Sequence, residues 1–339
     1  MKVLLNLMET LSRYLPLLAS MLVLCSAPAR ASDVSENIAE VKMPLRPARL
    51  LKFPVQSVGG LAIYKYHKDH SQPLKLEGNV KASGMVKVPE GRYVVYFPNH
   101  FFFANPSCIS NLAPDSLDFV VVRYASLQDS EEGRSDPAVA SLARFTGLTG
   151  LDLEQSELTD KGIIPLKSLK DLQVLYLFGN MVEGDFFKDF AALKKLRILG
   201  LQGNTIAPRN MPYLAGLQSL EVLAISRAHL TAASAAPIGK LSNLQSLHLA
   251  GNTKLSDDFL PTLKALKKLS SLNVDGCGFT KEGFKKIEAL PIAKIIPSTK
   301  HANARAEKEK AAAAKSESYG KKLQSNEYIF SPISRDKGL

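Results

Sequence analysis

Apolar residues recur through the middle of the chain in a fixed figure, Leu-x-x-Leu-x-Leu, separated by longer, more polar stretches. It stands at Leu148/Leu151/Leu153, Leu172/Leu175/Leu177, Leu196/Leu199/Leu201, Leu220/Leu223/Ile225, Leu244/Leu247/Leu249 and Leu269/Leu272/Val274. The first four steps are 24 residues and the last is 25. Three residues after each figure come Ser156, Asn180, Asn204, Ala228, Asn252 and Cys277. Two further on lie Leu158, Val182, Ile206, Leu230 and Phe279, while Leu255 arrives one residue late and accounts for the longer step. A register held at several kinds of position is not a by-product of leucine abundance. It predicts stacked units that cannot bury their apolar sides alone and share one core with their neighbours.

Within each figure the apolar residues point inward and the residues between them outward, because side chains alternate along a strand. After each strand the chain must return, and Thr159-Asp160, Ser256-Asp257 and Thr280-Lys281-Glu282 read as helix starts with a capping hydroxyl and acidic first turn. A degenerate unit is expected from Leu117, with Val120, Val122 and Leu127 in spacing and the loop Gln128–Pro137 bulging out. Phe284, Ile287 and Leu290 are placed to close the last unit with a helix.

Over residues 142–297 these positions resemble the leucine-rich-repeat consensus. The run Thr159-Asp160-Lys161-Gly162-Ile163 resembles a subtype common in bacterial repeat proteins, and Thr280-Lys281-Glu282-Gly283-Phe284 is a variant of it. The resemblance implies an α/β leucine-rich-repeat solenoid, with a parallel sheet on the concave side and helices or turns on the convex side, in a bacterial-type exported member of that family. The repeat asparagine would satisfy backbone groups where the chain leaves the strand. Ala228 cannot, so the fourth turn is expected to be the weakest.

The flanks differ in pattern. Residues 1–31 read as a signal peptide: Lys2 and Arg13 in front, an apolar stretch from Leu15 to Cys25, and Ala29-Arg30-Ala31 as cleavage site. That stretch is shorter than the roughly 20 residues a membrane span needs. Residues 32–49 are assigned as linker. In 50–116, alternation in Leu61–Tyr66, Met85–Val88 and Arg92–Phe97 predicts strands, with Pro89-Glu90-Gly91 as a hairpin turn. We assign 50–116 as a β-rich N-terminal cap and 117–297 as the solenoid with its cap helix: six clear repeats from 142 and one degenerate repeat before. Residues 298–339, rich in Lys, Ala, Glu and Ser, read as a flexible tail. Within it, Tyr328-Ile329-Phe330 is either plain tail or a short docking motif.

The net charge is +11, of which residues 1–31 contribute Lys2, Arg13 and Arg30 against Glu9. Such a balance favours contact with anionic surfaces but does not bear on fold. After signal removal only Cys108 and Cys277 would remain, too few for a disulfide scaffold, and free thiols are expected. His67-Lys68-Asp69-His70 could gather metal ligands, yet nothing nearby completes a tetrahedral set, so no metal and no cofactor is expected. No phosphate loop or nucleophile–base pattern appears, which argues against an enzyme. Phe101-Phe102-Phe103 reads as cap packing, or as an interaction site if exposed.

Function then falls on the sheet. Outward positions include Val174, Tyr176, Phe178, Ile198 and Val222, an apolar patch across three strands with Gln202, Arg227 and His248 beside it. Aromatic anchors ringed by polar groups are the make-up of a binding hot spot, while lateral packing among themselves is the plainer alternative. The expectation is non-enzymatic binding of a protein or peptide by a secreted or periplasmic, cell-envelope protein. A second reading takes Lys170, Lys194, Lys195, Lys267 and Lys268 as a basic ridge, interrupted at Gln218 and Ser242. With the basic tail it would serve a structural, adhesive envelope protein holding anionic glycans or envelope polymers. Nucleic acid is not an expected partner, nor is an integral membrane span once the signal is cleaved.

Overall fold

The computed structural model describes residues 45–65, 75–122 and 135–297. The signal peptide, most of the linker, the His67–His70 loop, the greater part of the Gln128–Pro137 bulge, Leu127 and the tail lie outside the described residues.

Among the described residues the strands run, in chain order, β1 (Arg49–Lys52), β2 (Gly59–Lys65), β3 (Lys75–Lys81), β4 (Met85–Val88), β5 (Arg92–Pro98), β6 (Phe119–Val121), β7 (Gly150–Asp152), β8 (Val174–Tyr176), β9 (Ile198–Gly200), β10 (Val222–Ala224), β11 (Ser246–His248), β12 (Ser271–Asn273) and β13 (Lys294–Ile296). From β5 to β13 every neighbouring pair is parallel. The middle residue of each repeat figure falls in one row, Leu151, Leu175, Leu199, Leu223, Leu247 and Leu272, which Val120 precedes and Ile295 follows. This row and the flanking leucines are buried in a single core. The fold is therefore a leucine-rich-repeat solenoid, and the degenerate unit contributes β6 in full register.

The sheet does not stop at the solenoid. β5 joins β6 in parallel, β2 and β3 follow antiparallel, and eleven strands make one surface. One core cluster likewise runs from Leu51 to Ile287. The expected hairpin at Pro89-Glu90-Gly91 is not formed. β4 instead pairs with β1 in a separate two-stranded ribbon, and the turn carries the chain from one sheet to the other. Gly91 sits at φ +67° with its N–H on the Arg46 carbonyl, a bend that frees β5 to bring Val94 and Tyr96 into the core.

Cap and solenoid are also tied by charge. The buried carboxylate of Asp118 accepts from Arg46 Nε at 2.7 Å, Arg49 at 2.8 Å and the Val94 N–H at 2.8 Å. Arg46 and Arg49 reach on to the carbonyls of Gly147 and Asp115. Phe102 is fully buried in the short helix His100–Ala104, which Asn99 caps by accepting from the N–H groups of Phe101 and Phe102. Phe101 is exposed and Phe103 half-buried, so the aromatic run is mainly cap packing.

The return segments are short. Asp160–Ile163 is a single helical turn capped by Thr159, and Lys281–Glu288 is a longer helix capped by Thr280. Ser256 precedes a 3-10 turn, Asp257–Phe259, without making a capping bond.

Two ladders of polar side chains hold the units together. Asn180 Oδ1 accepts from the N–H groups of Ser156 and Leu158, and its Nδ2 donates to the carbonyls of Leu153 and Leu177. Asn252 does the same for Ala228, Leu230, Ile225 and Leu249. Each amide therefore serves the turn of the preceding unit. The expectation of a weak fourth turn is corrected by this offset: Asn252 holds that turn, and the vacancy at Ala228 falls one unit earlier. Among the described residues no side chain accepts from Asn204 N–H or Ile206 N–H. At the other asparagine-less positions Ser156 donates to the Val122 carbonyl and the Cys277 thiol to the Leu249 carbonyl. Both described cysteines are free.

The second ladder uses aspartates at the start of the returns. Asp136 accepts from the Thr159 N–H and hydroxyl, Asp160 from the N–H groups of Glu183, Gly184 and Phe186, and Asp257 from the Thr280 N–H and hydroxyl. This explains the Thr-x-x-Gly spacing. A Cβ at Gly162 would lie 2.5 Å from Asp136 Oδ1, and one at Gly283 would lie 1.9 Å from Asp257 Oδ1. Burial pushes the Asp160 carboxyl above its usual range against the pull of its donors.

Candidate concave binding surface

Strand pairing arranges the outward side chains in columns. One runs Phe119, Gly150, Val174, Ile198, Val222, Ser246, Ser271, Lys294; the next runs Val121, Asp152, Tyr176, Gly200, Ala224, His248, Asn273, Ile296. The first column is apolar at one end and turns polar at Ser246. Its apolar half joins Ala62, Tyr64, Tyr93 and Val95 of the cap in a second hydrophobic cluster, separate from the main core. This cluster extends over the cap strands, beyond the three strands expected, but its cap members Ala62, Tyr64, Tyr93 and Val95 are buried.

The rings on this surface lie down. A Cβ at Gly150 would be 2.2 Å from the Phe119 ring, and one at Gly200 would be 2.8 Å from the Tyr176 ring. Phe178 lies likewise toward Gly203, and the Arg227 stem lies over Gly251. Each large side chain leans onto a glycine in the following unit, which is lateral packing of the plainer kind. Val174 is fully covered and Ile198 is 4% exposed, so neither offers a contact surface. Tyr176, Phe178, Gln202 and Val222 are half-buried and do.

The polar neighbours stand as follows. Gln202 Oε1 is buried without a hydrogen-bond donor among the described residues. His248 is half-buried, with Nε2 at 3.0 Å from the Ser246 hydroxyl; burial, and then Lys294 nearby, hold its pKa below the ordinary histidine value. Arg227 is exposed at φ +53°, and His229 at +56°. Four of the six units place glycine at the Arg227 position, so this unit keeps a left-handed backbone that glycine would adopt without strain. The first unit, which also lacks glycine there, has the same backbone, Gln155 at φ +49° and Glu157 at +54°.

The lysine ridge has partners. Lys170 Nζ donates to the Lys167 carbonyl at 2.8 Å and Lys194 Nζ to the Ala191 carbonyl at 2.7 Å, each closing the end of a return turn. Gln218, at the equivalent position, donates to the Ala215 carbonyl. Lys195 pairs with Asp171 and Lys268 donates to Asn243, while Lys267 is exposed. All five lysines are exposed.

On the side of the aspartate ladder lies an open hollow of about 720 Å³ lined by Asp136, Asp160, Glu183 and Asp185. All four carboxylates already have protein donors, Arg209 for Glu183 and Asn210 for Asp185. Among the described residues no group of His, Cys, Asp or Glu is arranged to hold a metal, and no helix is long and apolar enough to cross a membrane.

The parallel ladder, the buried asparagines and the leucine rows together define a leucine-rich-repeat solenoid. Among solved structures the chain is similar to an internalin of Listeria monocytogenes, with 21% identity over 55% of this chain and 55% of that one and a TM-score of 0.38. It is similar as well to a leucine-rich-repeat protein of Leptospira interrogans, with 21% identity over 53% of this chain and 55% of that one and a TM-score of 0.34. Internalin C2 of Listeria monocytogenes gives 20% identity over 57% of this chain and 82% of that one, with a TM-score of 0.34. The match spans little more than half the length of the first two. No protein-family model and no curated protein matches the chain.

Proposed function

We propose that this chain is a non-enzymatic binding protein that holds a protein or peptide on its concave sheet, centred on Tyr176 and Phe178 with Gln202, Arg227 and His248 around them. The observation that carries the reading is the half-exposed aromatic pair beside outward positions, Val174 and Ile198, that are packed shut. Two rings lying over glycines are pre-ordered, so a partner gains their contact area with little entropy cost. Gln202 supports a polypeptide ligand, because a small rotation of its amide presents an unsatisfied acceptor to a backbone N–H. We further propose export to the cell envelope or beyond, on the pattern of residues 1–31.

The test is binding to a partner recovered by pull-down from the exported fraction. Tyr176→Ala combined with Phe178→Ala should weaken affinity at least tenfold, a hot-spot loss of about 1.4 kcal/mol or more, while the circular-dichroism spectrum stays unchanged. Unchanged affinity sinks the assignment.

A further inference from the structure

The C-terminal end of the solenoid keeps an apolar groove of about 450 Å³. The helix Lys281–Glu288 turns Lys281, Phe284 and Lys285 toward it on one face, and Cys277, Phe279 and Pro297 line the rest. Phe279 and Phe284 pack on the core yet remain half-exposed. The Cys277 thiol donates to the Leu249 carbonyl at 3.2 Å, and burial pushes its pKa up to about 11, so the groove floor is uncharged at neutral pH. The charged side chains that line it are Lys281 and Lys285, both exposed, while the anionic carboxylate of Asp257, held by Thr280, stands outside the lining. End repeats of a solenoid leave such a face, which some further element must cover.

The chain supplies a fitting element. About 30 residues beyond Pro297, after a stretch dominated by Lys, Ala, Glu and Ser, comes Glu327-Tyr328-Ile329-Phe330. This places one acid directly before three large apolar side chains, complementary in sign and polarity to two lysines beside two phenylalanines. A linker of that length has a root-mean-square reach of roughly 30 Å, ample for a groove that Pro297 itself lines. Tethering of this kind holds the segment at a local concentration in the millimolar range, so a contact too weak to form between molecules is occupied within one.

We propose that Glu327–Phe330 of this chain docks in the C-terminal groove, with Tyr328 and Phe330 against Phe279 and Phe284 and Glu327 on Lys281 and Lys285. The segment acts as a tethered cap for the last repeat. Hydrogen exchange on the full chain tests it against the variant Tyr328→Ser/Phe330→Ser, which leaves residues 45–297 unaltered. Amides of residues 276–285 should exchange roughly tenfold faster in the variant, and Glu327→Lys should give a smaller change in the same direction. Equal exchange in all three proteins overturns the proposal. So does protection that grows with protein concentration, which would place another molecule's segment in the groove.

Discussion

At the scale of single residues, the concave surface separates side chains that build from side chains that can bind. Val174 and Ile198 share outward positions with Tyr176, and the alternation that assigns all three to one face was legible in the sequence. What it could not show is that Phe119, Tyr176 and Phe178 lean onto glycines in the next unit, or that Val174 is covered while Tyr176 stays half open. Lean is a rotamer property set by the neighbouring strand, 24 residues away, and has no signature within one repeat. His248 yields a prediction at this scale. Its folded pKa is depressed, so the neutral imidazole is favoured when folded. The associated stability is fully present above the unfolded value of about 6.5 and is lost as pH falls below it. Denaturation followed from about pH 8 to about pH 5 should show a loss of stability that His248→Gln reduces. An identical slope in the variant would contradict the assignment.

At the scale of elements, the repeat period gave the strands and the turn asparagines at once, because both recur at a fixed spacing. The direction in which each asparagine works did not follow from spacing, and the weak point moved from the fourth turn to the one at Asn204–Ile206. The aspartate ladder was overlooked for a related reason. Thr-Asp at a helix start reads as a local cap, whereas Asp136 and Asp257 reach the threonine 23 residues on. β13 was overlooked although Ile292 and Ile295 stand 23 residues after Leu269 and Leu272, since Pro297 fills the last apolar position. Asn180→Ala removes partners from two buried N–H groups and two carbonyls, and should cost about 2–4 kcal/mol. Leu199→Ala, a cavity in the middle of the core row, should cost about 2–5 kcal/mol. Urea denaturation of the two variants checks both; a loss under about 0.5 kcal/mol for Asn180→Ala would remove the ladder from the account.

At the scale of the whole molecule, the N-terminal segment is part of the same sheet and core as the repeats. Alternation made β2, β4 and β5 readable but not β1 or β3, and the pairing of β5 with β6 depends on a long-range register that alternation does not encode. Asp118 shows how the junction is secured, with two arginines from the chain's first described residues closing on one buried carboxylate. Asp118→Asn leaves that pair of guanidiniums without their counter-charge in a nearly dry site, and should cost about 3–5 kcal/mol. Lys195→Ala, which breaks an exposed pair, should stay within about 1 kcal/mol. Thermal melts of both variants discriminate them, and equal shifts would show the junction to be held by packing alone.

The concave surface remains the centre of the functional account, and one measurement bears on it most directly. Affinity for the recovered partner should be determined for Tyr176→Ala/Phe178→Ala beside Met181→Ala/Tyr213→Ala, a pair of exposed apolar residues off the concave sheet. The account predicts a loss of at least about tenfold for the first pair and wild-type affinity for the second. The reverse pattern, or equal losses, would contradict it.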